Sequence, residues 1–363
     1  MNINDPSQLF GQLHPSDQRG KAIIERRLGR KRSKSLVHTT ELTQLLRHSA
    51  KQQDISFSVP CFSGEPLLLN FNKSHAIYAQ IPCMPHAWSL QTIFAHLEEM
   101  SLTAPTYVLT NGDIWTLMWV LDVPITKHEF YKFHLFQNAL RQKLIKNSPP
   151  EDSLEITNLI PLVGTLNTKK NGELGLVTLV STTSNVLSKD KAEQFFNRTT
   201  HPSERLRLTN LSMFITELIA IFTYRALTIS SEVDTHQLWL DFFAIGLKDF
   251  CSESQLRKEL VAVEQAITGC RSGVSTMNID SSIKKASGGY LDISSQRHKY
   301  SNESTFKLIA EQLDVTQLEI DHLGLRLLTG LHSASTMSLT ENLMAFGDSD
   351  FVPLRRLFIQ SVA

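Results

Sequence analysis

The sequence predicts an α+β protein, with a mixed-sheet domain in the amino-terminal half and a mostly helical domain after it. Three observations carry that reading. Short apolar runs at strand spacing are interleaved with two helical segments between about residues 55 and 185. Beyond residue 186 the strand signals fade and long stretches repeat apolar residues at helical spacing. A chain of 363 residues is also too long for one small core.

In chain order, "ISFSVPCF", "PLLLNFN" and "HAIYAQIP" (His75–Pro82) read as strands. "WSLQTIFAHLEEM" places Leu90, Ile93, Phe94 and Leu97 on one helical face. In "YVLTNGDIWTLMWVLDVPIT", strand Tyr107–Thr110 meets a turn at Asn111-Gly112-Asp113, and a second strand runs from Ile114 to Leu121. Asn-Gly between apolar runs is a strong hairpin signal because both residues tolerate positive φ, and Pro124 is expected to end the second strand. Lys127–Asn147 reads as a helix, and "EITNLIPLVG" and "LGLVTLVST" as further strands. The helical half follows with "LRLTNLSMFITELIAIFTYRAL", "THQLWLDFFAIGLKDF" and "SESQLRKELVAVEQAITG", then a Gly/Ser-rich stretch expected to be irregular, residues 270–300. The expected organisation is an amino-terminal arm (1–54), an α+β domain (55–190) and a helical domain (200–363).

Lys and Arg number 36, as do Asp and Glu, so the chain as a whole is no polycation. The basic charge is nevertheless segregated. Arg19, Lys21, Arg26, Arg27, Arg30, Lys31, Arg32, Lys34 and Arg47 face only Glu25 and Glu41 within residues 19–48. Such a run is either a solvated face or an element that tracks phosphates. Leu42, Leu45 and Leu46 let its end join a helix.

Cys61, Cys83, Cys251 and Cys270 form no C-x-x-C pair, which argues against structural zinc and a disulfide scaffold. His128 and His134 are not four apart, and H-E-x-x-H, the P-loop and G-x-S-x-G are missing. No cofactor is therefore expected. No basic region followed by an apolar run opens the sequence, and the apolar stretch Leu211–Ile229 carries Glu217 and Arg225. A cytoplasmic protein without a membrane partner is the expectation.

Two further segments bear on function. "IPLVGTLNTKKNGE" sets Gly164-Thr165 and Asn171-Gly172 in turns, with Lys169 and Lys170 at a tip that suits phosphate binding or simply solubility. In "ESTFKLIAEQLDVTQLEIDHLGLRLL" a helix opened by Ser304 or Thr305 turns inward Phe306, Ile309, Ala310 and Leu313. A turn at Asp314-Val315-Thr316 leads to a second helix, Gln317–Leu328, with Leu318, Ile320, Leu323 and Leu327 inward. This pattern, 303–328, is that of a helix-turn-helix or of an ordinary helical corner. On the first reading Gln317, Glu319, Arg297, His298 and Lys299 are candidates for base and phosphate contact.

The order strand, helix, strand, Asn-Gly turn, Trp-containing strand and "GTLNTKKNGE" resembles the primase-polymerase core of plasmid and phage replication proteins, in the archaeo-eukaryotic primase superfamily. The likeness spans roughly residues 70–180. Gly164, Thr165, Asn167, Lys169 and Lys170 match the segment that in the family reads R-x-P-G-T-x-N-x-K. The resemblance implies a metal site of paired carboxylates, and here the sequence departs from it. "IYAQIPC" offers Gln80 in place of an acid, Trp115 and Thr116 stand where a histidine is expected, and the arginine before Gly-Thr is missing. The expectation is a non-catalytic DNA-binding protein of mobile-element replication or maintenance. Its contacts would come from Arg26, Arg27, Arg30, Lys31, Arg32, Lys34, Lys169, Lys170, Arg297, Lys299 and Gln317. Host or element-encoded replication proteins, and a second copy of the chain, are compatible partners. Two alternatives stay open: an active primase using Asp113 or Asp122 with Glu98 or Glu99, and a protein–protein adaptor docking through its helical half.

Overall fold

The computed structural model describes residues 6–15, 21–28, 31–38, 41, 54–83, 89–127, 129–144, 156–168, 172–225, 233–268, 276–293, 296–299 and 303–325. They belong to two compact units, Met1–Pro202 and Ser203–Ala363. The first is α+β and the second mostly helical, as the hydrophobic periodicity predicts.

The first unit begins with helix α1 (Pro6–Leu13), strands β1 (Lys21–Leu28), β2 (Lys31–His38), β3 (Ile55–Ser58) and β4 (Cys61–Phe62), then β5 (Phe71–Pro82). Helix α2 (Leu90–Glu99), strands β6 (Tyr107–Thr110) and β7 (Ile114–Thr126), and helix α3 (Phe130–Leu144) follow. Short strands β8 (Leu159–Pro161), β9 (Leu166–Thr168), β10 (Leu174–Leu176) and β11 (Thr178–Thr182) lead to α4 (Lys189–Thr199). One antiparallel sheet runs β11-β6-β7-β5-β4-β1-β3-β8, with β2 on the remaining edge of β1, while β9 and β10 pair separately.

The sheet's core is aromatic. Trp119 of β7 meets Phe136 of α3 edge-on at 5.4 Å, and Tyr78 of β5 meets Phe133 at 5.5 Å. Each such ring contributes roughly 2–3 kcal/mol by burial. The polar tips are satisfied too: Trp119 Nε1 donates to Thr103 O at 2.7 Å, and Tyr78 Oη to Asn158 O at 3.1 Å. From α1, Leu9, Phe10 and Leu13 enter the core, and the chain beyond it is pinned by His14. Its Nε2 donates to Ser58 O at 3.1 Å, which leaves Nδ1 to accept the Cys61 thiol at 3.3 Å. Burial drives the imidazole down to about pKa 4 and the Cys61 thiol up to about 12.

Three expectations are corrected here. Residues 21–38 are not an arm ahead of the domain: β1 and β2 form a hairpin within its sheet, and β1 also pairs with β3 and β4. Ala22, Ile23 and Ile24 alternate poorly with charge because both sides of β1 are covered at that end. Pro124 does not end β7. Ser74 and Ala76 face Ile125 and Val120, so residues 121–124 form a bulge unpaired with β5, where the missing N–H of Pro124 costs no ladder bond. "PLLLNFN" contains a 3-10 turn at Leu68–Asn70, and β5 starts only at Phe71. The helix expected around Leu42–Leu46 lies outside the described residues.

The second unit contains α5 (Pro202–Arg225), α6 (Val233–Leu247), α7 (Glu253–Thr268) and α8 (Thr276–Gly288). Hairpin β12 (Tyr290–Ile293) and β13 (Gln296–Lys299) then precedes α9 (Glu303–Gln312) and α10 (Gln317–Leu323). Helix α5 is long and apolar enough to cross a membrane by length and composition alone. Here it packs its Phe222 against Trp239 and Phe243 at 5.0 and 5.4 Å, and Phe214 on Phe306 at 4.8 Å. Gly246 permits that approach, since a Cβ there would stand 2.8 Å from Ile215 Cγ1. A buried Asp241 is fully engaged by Gln237, Ser282 and Lys285 at 2.8, 2.5 and 2.6 Å.

The stretch 270–300, expected to be irregular, holds α8 and the β12–β13 hairpin. Its composition masked a helical spacing that is present: Ile279, Ile283 and Ala286 are all buried.

Candidate nucleic-acid interface

The two segments that carry the family resemblance meet in space. Asn111 is buried, and its Oδ1 accepts the N–H groups of Asp113 and Ile114, each at 3.0 Å. Its side chain therefore builds the turn, and Gly112 alone supplies the positive φ, 91°. The nitrogen end of the amide goes elsewhere: Asn111 Nδ2 donates to Asn167 Oδ1 at 3.0 Å. The "TNGD" turn is thus tied directly to "GTLNT", where Thr165 Oγ1 donates to Leu162 O at 2.7 Å and Gly164 takes φ 82°.

A second joint also holds β9. Asp54 N donates to Leu166 O at 2.6 Å, and Asp54 O accepts from Arg27 N at 3.0 Å. Its carboxylate accepts Thr168 N at 2.6 Å and Thr168 Oγ1 at 2.7 Å. Asp54 does this at φ 48°, a positive value that Asp tolerates better than most side chains do. Through it the basic strand β1 touches the root of the β9–β10 hairpin.

Along the β1–β2 ladder, Arg27 sits opposite Arg32, Leu28 opposite Lys31, Arg26 opposite Ser33 and Glu25 opposite Lys34. Arg27, Lys31 and Lys34 are exposed and Arg26 half-buried. Glu25 neutralises little of this, lying 4.0 Å from an exposed Lys34. Arg30, Lys169 and Lys170 lie outside the described residues, Lys169 directly after Thr168.

The remaining candidates belong to the second unit. Arg297 and Lys299 lie on β13, opposite Asp292 and Tyr290. Gln317 is exposed at the start of α10, where its amide donates to Asp321 at 2.9 Å. Glu319 does not face outward, as a base contact requires. It is buried and gripped by Arg225, Nε at 2.5 Å and Nη2 at 2.6 Å, while Nη2 also reaches Asp314 O at 2.9 Å and Nη1 Leu313 O. The Arg225 guanidinium holds its carboxyl down at about pKa 2. Thr316 and Glu319 form a capping box, and α10 ends at Gly324 (φ 63°), short of the expected Leu328. Leu318, expected inward, is 70% exposed. An ion pair, not the apolar pattern, sets the rotation of this helix.

Two of the acids named for an active primase have other partners. Asp122 Oδ1 accepts Val123 N and Lys189 N at 2.8 and 2.9 Å, opening α4, and Glu99 pairs with His96 at 3.1 Å. Gln80 lies opposite Thr116 on β7. Among the described residues no three His, Cys, Asp or Glu side chains group closely enough to hold a metal. Glu129 binds Lys132 at 2.7 Å and Lys189 at 3.1 Å, and Lys132 also binds Glu193 at 2.9 Å. This network is internal bracing, and no local pattern foretells pairs some sixty residues apart.

No protein-family model and no curated protein matches the chain. A solved structure with some likeness is the AEP domain of the Cyanophage S-2L primase-polymerase, at 13% identity and a TM-score of 0.37, covering 53% of this chain and 97% of that one. A TM-score that low does not establish a shared fold.

Proposed function

We propose that the chain is a DNA-binding protein of replication initiation or maintenance, of the kind mobile elements carry, acting without catalysis of its own. The observation that supports this best is the meeting of its two basic hairpins. The β1–β2 ladder presents Arg27, Lys31 and Lys34 outward, and Asp54 joins it to the strand that precedes Lys169 and Lys170. Segregated cations on paired strands suit phosphate contact, which requires no metal carboxylates. The motif order resembling primase-polymerase cores favours replication, and Gln80 in the acidic strand's place favours a silent site.

For the helical unit, a protein-docking role is the better reading. The surface beside α10 carries exposed Leu318 and Tyr224 with exposed Glu311, Asp314 and Asp321, which repel phosphate.

Fluorescence anisotropy with single- and double-stranded DNA at two salt concentrations, with and without magnesium, tests the proposal. Binding should fall steeply with salt and ignore magnesium. Charge reversal of Arg30, Lys31 and Arg32 should weaken it for all sequences alike. Binding that requires magnesium would return the active-primase alternative, and no binding would favour the adaptor.

A further inference from the structure

We infer that Asp54 is a positioning residue of the nucleic-acid interface: it fixes β1 and β9 so that two hairpins engage one nucleic acid as a single surface. The inference rests on the nucleic-acid-binding reading above. A carboxylate beside exposed Arg27 is an odd choice for a phosphate-binding face, because by Coulomb's law alone it weakens the attraction of a polyanion. Its hydrogen bonds explain its presence. One residue makes four of them to two segments otherwise remote in sequence: Arg27 N on β1, and Leu166 O, Thr168 N and Thr168 Oγ1 on β9.

The conformation carries the same message. A non-glycine residue at φ 48° is retained where surrounding bonds over-determine it. Asn167, one residue before Thr168, is held separately by Asn111, so β9 is tied both to the "TNGD" turn and to Asp54. With β9 clamped, the hairpin it begins has a set direction relative to the β1–β2 ladder. A ligand that bridges both then need not order them on binding.

Two substitutions separate geometry from charge, because they have opposite expected signs. Asp54→Asn removes the negative charge but keeps an acceptor for Thr168 N–H and an amide that can donate to the Thr168 hydroxyl. Asp54→Ala removes the charge together with both side-chain bonds to Thr168, and leaves only the backbone bonds to Arg27 and Leu166. The measurement is DNA anisotropy across a salt series, with circular dichroism and thermal melting of each full-length variant. Positioning requires Asp54→Ala to bind about tenfold more weakly with a shallower salt dependence, and Asp54→Asn to bind at least as tightly as wild type. If both variants bind more tightly, the carboxylate acts only as a charge and the inference falls while the DNA-binding reading stands. If wild type binds no DNA, both fall. Should Asp54→Ala melt early, Thr168→Val removes one of the joint's bonds without altering charge. It should weaken binding about threefold, and wild-type binding by a folded Thr168→Val would overturn the inference.

Discussion

The β1–β2 hairpin of the first unit and the α9–α10 helical hairpin of the second both present charge, but they use it in opposite ways. In the strand hairpin Arg27, Lys31 and Lys34 are exposed, and Glu25, opposite Lys34 in the ladder, stands 4.0 Å from it. In the helical hairpin the acid Glu319 is turned inward, where Arg225 at the end of α5 binds it and the carbonyls of Leu313 and Asp314. Among the described side chains, Glu311, Asp314 and Asp321 are the exposed acids there. A count of charges in the sequence cannot tell these cases apart, because the difference is whether each charge is exposed or buried by the fold. Exposed charge is available to a partner; buried, paired charge specifies geometry.

The largest effect that sharpens this contrast is Arg225→Ala. It leaves the Glu319 carboxylate buried without its guanidinium and frees two carbonyls, and should cost about 3 kcal/mol. Hydrogen exchange over residues 303–325 should report the loosening. Unchanged protection there would mean the ion pair is incidental.

Acid should separate the two units next. His14 is held neutral, so its folded pKa, about 4, lies below the ordinary 6.5. The unfolded chain takes up the proton first, and stability present above pH 6.5 is lost as pH falls toward 4, by roughly 3 kcal/mol. Glu319 is held charged, with its pKa lowered from 4.5 to about 2. Its contribution is complete above pH 4.5 and disappears only as pH falls toward 2. Hydrogen exchange at pH 5 should therefore find α1 loosened and α9–α10 intact. His14→Gln should abolish the first response alone.

Binding effects come third. Lys31→Glu with Lys34→Glu should weaken DNA binding about tenfold for every sequence and lower the salt slope by roughly two. Both side chains are exposed, so the melting temperature should barely move. A sequence-dependent loss would mean these residues read bases, and the contrast between the two hairpins would need redrawing.

The comparison also shows what a sequence can disclose. The Tyr107–Leu121 hairpin was legible because its turn is local: Asn111 and Gly112 build it with groups two and three residues away. Helices α5 to α7 and α9 were legible from spacing alone, and Phe306, Ile309, Ala310 and Leu313 are buried as expected. The course of β1 was not, because a strand covered on both sides loses the alternation that marks one. Nor was Asp54, a lone acid before a strand, whose meaning depends on Thr168, 114 residues later. The rotation of α10 was read wrongly for the same reason. Apolar spacing put Leu318 inward, but Arg225, 94 residues before Glu319, decides the face.

That rotation makes the smallest expected effect informative. Gln317 begins α10, where a recognition helix places its reading residues, and its amide donates to Asp321 on its own helix. Around it stand Asp314, Asp321 and Leu318, none suited to a phosphate backbone. Gln317→Ala removes one exposed i, i+4 contact, worth no more than about 0.5 kcal/mol, and should change DNA affinity by less than twofold for any sequence. A base-reading glutamine behaves differently: its loss costs about 1–3 kcal/mol and relaxes preference at one position. Competition binding against a randomised duplex pool distinguishes the two. A flat profile for Gln317→Ala leaves DNA contact with the strand hairpins of the first unit, whereas a lost preference would make α10 a reading helix despite its acidic surroundings.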